Sequence, residues 1–191
     1  KTWGFDVVMT ATEHESGSDR VAEVAQVLGW SDDQIVVNVQ GDEPLIDPRA
    51  IQQVAKNLAD NPAAGIATLA SPLANASELA DPNAVKVVAD QQGLALYFSR
   101  APIPWNRDTG SGNLQQARRH IGIYAYRVGV LKQITQLSVA ELERSESLEQ
   151  LRALAAGIRI HVADACADTG PGVDTEADLL SVATLLEQGQ L

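Results

Sequence analysis

The stretch Ile35-Val36-Val37-Asn38-Val39-Gln40-Gly41-Asp42-Glu43-Pro44 decides how this chain folds. Its opening residues are rich in β-branched side chains and carry no charge. That is the pattern of a strand buried on both faces, here expected as a central parallel strand covered by helices. Gly41 permits a sharp turn, Asp42 and Glu43 place carboxylates at the strand's carboxyl end, and Pro44 stops further ladder pairing. Open α/β sheets take their ligands at that edge. Two readings of the acids stay open: oxygen ligands for a hard cation that shares phosphate oxygens, or a loop acid that caps the next helix.

Working outward, a 191-residue chain suits one domain, 1–191, with a sizeable core. Lys and Arg total 14 against 25 acids, a formal charge of −11, which disfavours a general nucleic-acid or anionic-membrane surface. Any anionic substrate must then meet a local basic pocket. One cysteine, Cys166, excludes an internal disulfide and a cysteine-based zinc cluster, and fits a reducing, cytoplasmic setting. No apolar run is long enough to span a bilayer. The chain begins at Lys1-Thr2-Trp3-Gly4-Phe5 and runs at once into the strand-like Asp6–Thr10, so it reads as the inside of a longer protein, truncated at its N-terminus.

Helix and strand signals alternate along the rest. After Asp6–Thr10, Ser16 and Asp19 have capping-box spacing ahead of an apolar stripe at Val21, Val24, Ala25 and Leu28, and Gly29 ends that helix. This strand, Ser/Gly loop and helix start make a corner friendly to anions. Asp47-Pro48 opens a second helix that Asn61-Pro62 closes. Strands are expected at 65–69, 84–89 and 94–99, the last two as an antiparallel hairpin because four residues cannot make a parallel crossover. The sheet is therefore mixed. The proline-stiffened Arg100–Arg107 segment leads to a loose tract at 108–116, a candidate lid. Strict alternation in 119–127 puts Ile121, Ile123 and Ala125 on one face and His120, Gly122, Tyr124 and Tyr126 on the other, where His120 and Tyr124 could jointly hold hydroxyls. A helix at 128–137, an acidic connector, a helix at 148–156 capped by Ser147, and a strand at 159–163 follow. Asp174 then stands just outside a Thr175/Asp178 cap whose helix turns Leu179, Val182, Ala183 and Leu186 inward. With Asp42 it could clamp one divalent cation.

Several blocks in order carry a family resemblance: His14-Glu15-Ser16-Gly17-Ser18-Asp19-Arg20, Val37–Pro44, Asn83–Val88, Tyr97–Trp105, Arg119–Arg127, Leu148–Arg152 and Gly172-Val173-Asp174-Thr175. Together they span the chain, which resembles the 3-deoxy-manno-octulosonate cytidylyltransferases, or CMP-KDO synthetases. The resemblance implies a Rossmann-like nucleotide-diphospho-sugar transferase α/β fold and a homodimer. It implies transfer of CMP from CTP to the acid sugar KDO with Mg²⁺, releasing pyrophosphate, for lipopolysaccharide biosynthesis. By likeness Asp42 and Asp174 are the catalytic metal ligands, and Ser16, Gly17, Ser18, Arg20 and Gln40 lie at the nucleotide. Gln40, Arg100, Arg107, His120, Tyr124, Glu149 and Gln150 would hold the sugar. Family members open with a glycine- and arginine-bearing phosphate loop that this chain lacks, so the chain as it stands is expected to be impaired. The rival readings are a cytidylyltransferase for another acid sugar and a non-catalytic nucleotide- or sugar-binding fragment.

Overall fold

Capping side chains at Ser16, Asp47 and Asn75 set where three helices begin, and strand neighbours decide which extended segments become sheet. The structure, a computed structural model, describes residues 4–14, 16–167, 170, 172–173 and 175–187. Helix α1 (Gly17–Val27) starts at Ser16, whose hydroxyl accepts from the Asp19 N–H, and stops before Gly29 at φ +66°. Strand β1 is Ile35–Asn38, and α2 (Pro48–Asp60) starts at the Asp47 cap and ends at Asn61. Next come β2 (Ile66–Pro72), the single turn α3 (Ala76–Ala80), and the hairpin β3 (Lys86–Ala89) and β4 (Ala95–Ser99). Short strands β5 (Trp105–Asn106) and β6 (Ser111–Gly112) pair with each other. The long β7 (Arg118–Arg127) leads into α4 (Val128–Ile134), α5 (Glu141–Glu146), α6 (Gln150–Ala155), β8 (Ile160–Asp164) and α7 (Glu176–Glu187).

The main sheet runs β4-β3-β7-β2-β8, with β1 also paired to β7. The β2–β8 pair is parallel and every other pair antiparallel. One face carries Ile66, Phe98 and Ile160, packed under Leu131 of α4 and Leu151 of α6, with Val21 and Ala22 of α1 alongside. The other carries Ala67, Leu69, Ile121, Ile123 and Ala125 against Ala50, Val54 and Leu58 of α2. Each large side chain buried here contributes roughly 1.5–3 kcal/mol. The sheet bends until the β3–β4 hairpin reaches β8: Leu94 bridges His161, and the Val162 N–H donates to Gly93 O at 2.7 Å.

Five expectations are corrected. Segment 6–10 forms no strand, and Phe5, Val7 and Met9 are 76%, 66% and 87% exposed. Branched side chains permit an extended chain, but no described strand lends it hydrogen bonds. β1 is covered on both faces, by Val36 packing toward α1 and Ile35 and Val37 toward α2, yet it is antiparallel and, among the described residues, joined to β7 alone. An apolar run reports burial of the two faces, which an edge strand under two helices also has. The tract at 108–116 is tied, not loose: Asn106 Oδ1 accepts from the Asp108 and Thr109 N–H groups at 2.9 and 3.3 Å, and β6 closes back on β5. The acidic connector contains α5, and Ser147 does not cap α6; it ends α5 in the left-handed region at φ 52°. Finally, α7 buries Val182 while Leu179 and Leu186 are 55% and 47% exposed, because apolar spacing does not specify whether the chain supplies a surface to cover it.

Candidate active site

Alternation along β7 lines up a row of rings on one sheet face. His120 and Tyr124 have ring centroids 5.3 Å apart, Tyr124 and Tyr126 5.8 Å, and Phe98 of β4 meets His120 edge-on at 5.0 Å. The row is interrupted by an irregularity: Thr68 of β2 faces Tyr124 but Leu69 faces Ile121, so Gly122 and Ile123 bulge out of the pairing. The buried Thr68 hydroxyl sits in this bulge, 2.9 Å from His120 Nε2, 3.1 Å from Ile121 O and 2.7 Å from Ile123 O.

Two helix starts converge on the row. Ser18, nearly buried in the first turn of α1, lies with its hydroxyl 3.3 Å from the Tyr126 phenol oxygen. Glu149 and Gln150 enter from the start of α6. With Tyr124 and Tyr126 these residues line a cavity of ≈ 120 Å³. A second hollow, ≈ 180 Å³, is bordered by Glu43, His120, Gly122, Gly170 and Gly172. His120 stands at the second hollow and touches the ring that lines the first.

Burial sets the charge of these groups. It lowers His120 to about 3, so the imidazole is neutral. It pushes Tyr124 and Tyr126 up, leaving phenol O–H groups that can donate. It also raises Glu149, a shift opposed by hydrogen bonds from the Ser18 and Ser16 hydroxyls. Neutral donors and acceptors around one carboxyl suit a ligand rich in hydroxyls.

The end of β1 meets the start of α1 closely. A Cβ on Gly17 would lie 2.9 Å from Gln40 Nε2 and 3.2 Å from Asn38 Nδ2, so glycine is what lets these amides reach the helix N-terminus. Asp42 follows as an exposed carboxylate, and its carbonyl accepts the Val173 N–H at 2.8 Å. The 41–45 loop therefore touches Gly170, Gly172 and Val173, with Gly172 close against Glu43. Asp174 lies outside the described residues, as does Glu15. Asp42 is a hard oxygen donor of the type Mg²⁺ prefers. Among the described residues no three His, Cys, Asp or Glu side chains gather as a fuller metal cage.

The arginines are placed differently. Arg20 spans the 10–14 loop, donating to Thr10 Oγ1, Ala11 O and His14 O. The Arg100 guanidinium donates to Glu146 O, Pro82 O and Ser147 O, fastening the end of β4 to the end of α5. Arg107 is exposed beyond β5 and lines neither hollow. Three residues of the site escaped the sequence reading of it. Asn38 had a signal, a polar side chain inside an apolar run. Tyr126 had one too, sharing a face with His120 and Tyr124. Thr68 had none, because a threonine inside Ile66-Ala67-Thr68-Leu69 reads as strand filler.

A family model described as "Cytidylyltransferase" matches residues 1–160. The 3-deoxy-manno-octulosonate cytidylyltransferase of Alkalilimnicola ehrlichii is 57% identical over 193 aligned positions, covering 97% of this chain and 74% of the relative. The chain belongs to the 3-deoxy-manno-octulosonate cytidylyltransferase family. The Cellvibrio japonicus cytidylyltransferase is 54% identical over 100% of this chain and 77% of its own length. Among solved structures, that of CMP:2-keto-3-deoxy-manno-octonic acid synthetase complexed with CTP superposes with a TM-score of 0.88 at 44% identity, covering 98% of this chain and 75% of that one. The chain thus spans about three quarters of the length of these cytidylyltransferases and shares their α/β mixed-sheet fold.

Proposed function

We propose that the chain carries out the cytidylyl transfer of its family: the anomeric hydroxyl of 3-deoxy-manno-octulosonate attacks the α-phosphorus of CTP, an oxygen–phosphorus bond forms, and the bond to pyrophosphate breaks as the hydroxyl proton is lost. The observation that carries this reading is the junction of α1, β1 and β7, where Gly17, Gln40 and Asn38 adjoin a hollow lined by Ser18, Tyr124 and Glu149. Helix-start N–H groups and amides suit a nucleotide, and the neutral ring row suits a polyhydroxy sugar. In-line transfer of this kind depends mostly on holding the two reactants together and offsetting phosphate charge.

Asp42 and Asp174 would hold Mg²⁺, whose chemistry is to neutralise phosphate oxygens. The contact of the 41–45 loop with Gly170, Gly172 and Val173 supports that pairing. Ser16, Gly17, Ser18, Arg20 and Gln40 form the nucleotide side. Gln40, His120, Tyr124, Glu149 and Gln150 form the sugar side; Arg100 and Arg107 line neither hollow and are assigned to the sugar carboxylate by family likeness alone. Three of the five N–H groups of Arg100 are engaged by carbonyls, which leaves donors for an anion. The enzyme acts in the cytoplasm as a homodimer, in the supply of activated sugar for lipopolysaccharide.

Pyrophosphate release from CTP with this sugar, with and without Mg²⁺, tests the reading. Turnover that requires both sugar and metal is the expected result in a protein of its relatives' full length, and turnover by these 191 residues is expected to be impaired. Turnover only with a different acid sugar would move the substrate assignment, and CTP binding without turnover on any sugar would leave a binding module. Asp42→Asn is expected to remove most of kcat while the melting temperature stays unchanged, because the carboxylate is exposed and outside the core.

A further inference from the structure

We propose that Thr68 is a positioning residue that holds the proton of His120 on Nε2 and keeps Nδ1 as a hydrogen-bond acceptor for a sugar hydroxyl. The inference rests on the functional reading above for the identity of the ligand, and on geometry for the tautomer.

Thr68 is fully buried, with three partners within hydrogen-bond reach: Ile123 O at 2.7 Å, Ile121 O at 3.1 Å and His120 Nε2 at 2.9 Å. A hydroxyl has one proton. Backbone carbonyls only accept, and Ile123 O at 2.7 Å is the nearest of the three partners, so we place the proton there, which leaves a lone pair of Oγ1 facing the imidazole. Nε2 must then carry a hydrogen and donate it, since two lone pairs at 2.9 Å would repel. The two carbonyls flank Gly122 where β7 bulges against β2, and both lie within reach of the Thr68 hydroxyl. The bulge and the tautomer are one device.

The imidazole is neutral, as its lowered pKa also indicates, so a proton on Nε2 leaves a lone pair on Nδ1. Among the described residues the enclosed polar side-chain atoms without a partner are Asn57 Nδ2 and His161 Nδ1, so His120 Nδ1 is not sealed in. His120 is among the residues that border the ≈ 180 Å³ hollow. An acceptor there welcomes an O–H group and repels a carboxylate or phosphate oxygen. His120 accordingly reads a hydroxyl of the acid sugar, and its negative charge is met elsewhere.

The test is long-range ¹H–¹⁵N correlation on ¹⁵N-histidine-labelled protein, paired with calorimetric affinity for the acid sugar in the presence of CTP. The unmutated protein and Thr68→Ser are expected to show His120 protonated on Nε2 and similar affinities. Thr68→Val, which removes the acceptor, is expected to lose that tautomer preference and to bind the sugar roughly tenfold more weakly, with CTP affinity unchanged. A proton on Nδ1 in the unmutated protein, or a valine variant with altered tautomer and unaltered sugar affinity, would overturn the proposal. The first arm does not depend on the valine variant folding. Failure of the functional reading is seen separately, as an unmutated protein that binds no acid sugar.

Discussion

One absent methyl group governs how near the Gln40 and Asn38 amides, on the proposed nucleotide side of the site, come to α1. Alanine is ordinarily favoured over glycine inside a helix by about 1 kcal/mol. At position 17 the added carbon would meet the Gln40 and Asn38 amides at 2.9–3.2 Å, and Asn38 is buried. Contact outweighs propensity there. Gly17→Ala is expected to lower stability by roughly 1–3 kcal/mol and to weaken CTP binding, read by urea denaturation and calorimetry. His120 makes a prediction with a sign. Its folded-state pKa of about 3 lies below the ordinary histidine value of 6.5, so its contribution is fully present above 6.5. It is lost as pH falls toward 3, because the unfolded chain takes up a proton that the folded one refuses, by up to about 1.4 kcal/mol per pH unit. Glu149 acts oppositely: its raised pKa makes its contribution fade as pH rises through the ordinary carboxyl range. The melting temperature of His120→Asn should therefore gain on that of the unmutated protein as the pH is lowered from about 8 to 5. A gap independent of pH would contradict the buried neutral imidazole.

The corner between α5 and α6 delivers Glu149 and Gln150, and it is held by charge. Arg152 donates to both Glu143 oxygens at 2.8 and 2.6 Å, with side chains only 15% and 10% exposed, while Glu143 also accepts the Ala140 N–H at 3.2 Å. Glu146 takes the Ser99 hydroxyl at 2.6 Å and the Arg100 N–H at 2.9 Å, joining the corner to β4. Removing Arg152 strands a buried carboxylate, so Arg152→Ala is expected to destabilise by about 3–5 kcal/mol in urea, whereas replacing both partners by apolar residues costs far less. This is also where the sequence was least readable. Glu141, Glu143 and Glu146 look like a solvated connector because the guanidinium that makes burial of Glu143 tolerable is nine residues away. The hairpin β3–β4, the caps at Ser16 and Asp47 and the two-faced β7 were legible, since each depends on spacing or on a residue a few positions off. Thr68 was not, for its meaning comes from a strand 52 residues downstream.

For the molecule as a whole, the sheet's curvature depends on one glycine. Gly93 has φ +76°, and a Cβ there would lie 3.2 Å from both His161 Nε2 and Val162 O, where the β3–β4 hairpin touches β8. Gly93→Ala is expected to lose about 1–2 kcal/mol and to speed hydrogen exchange at the Val162 amide, whose acceptor is Gly93 O. Unchanged exchange would mean the hairpin and β8 are joined by other contacts. Sheet order and strand direction were hidden from local pattern: β1 reads the same whether central or at an edge, and exposed Leu179 on α7 reads as core. β7 is different from both. It is laced to β1, β2 and β3 at once, and the rings that would meet the sugar stand on that same strand. The recognition surface is thus riveted to the most heavily braced beam of the architecture, and it cannot go slack by itself; warming should extinguish substrate recognition and dismantle the scaffold in a single event, with no folded but blind intermediate between them.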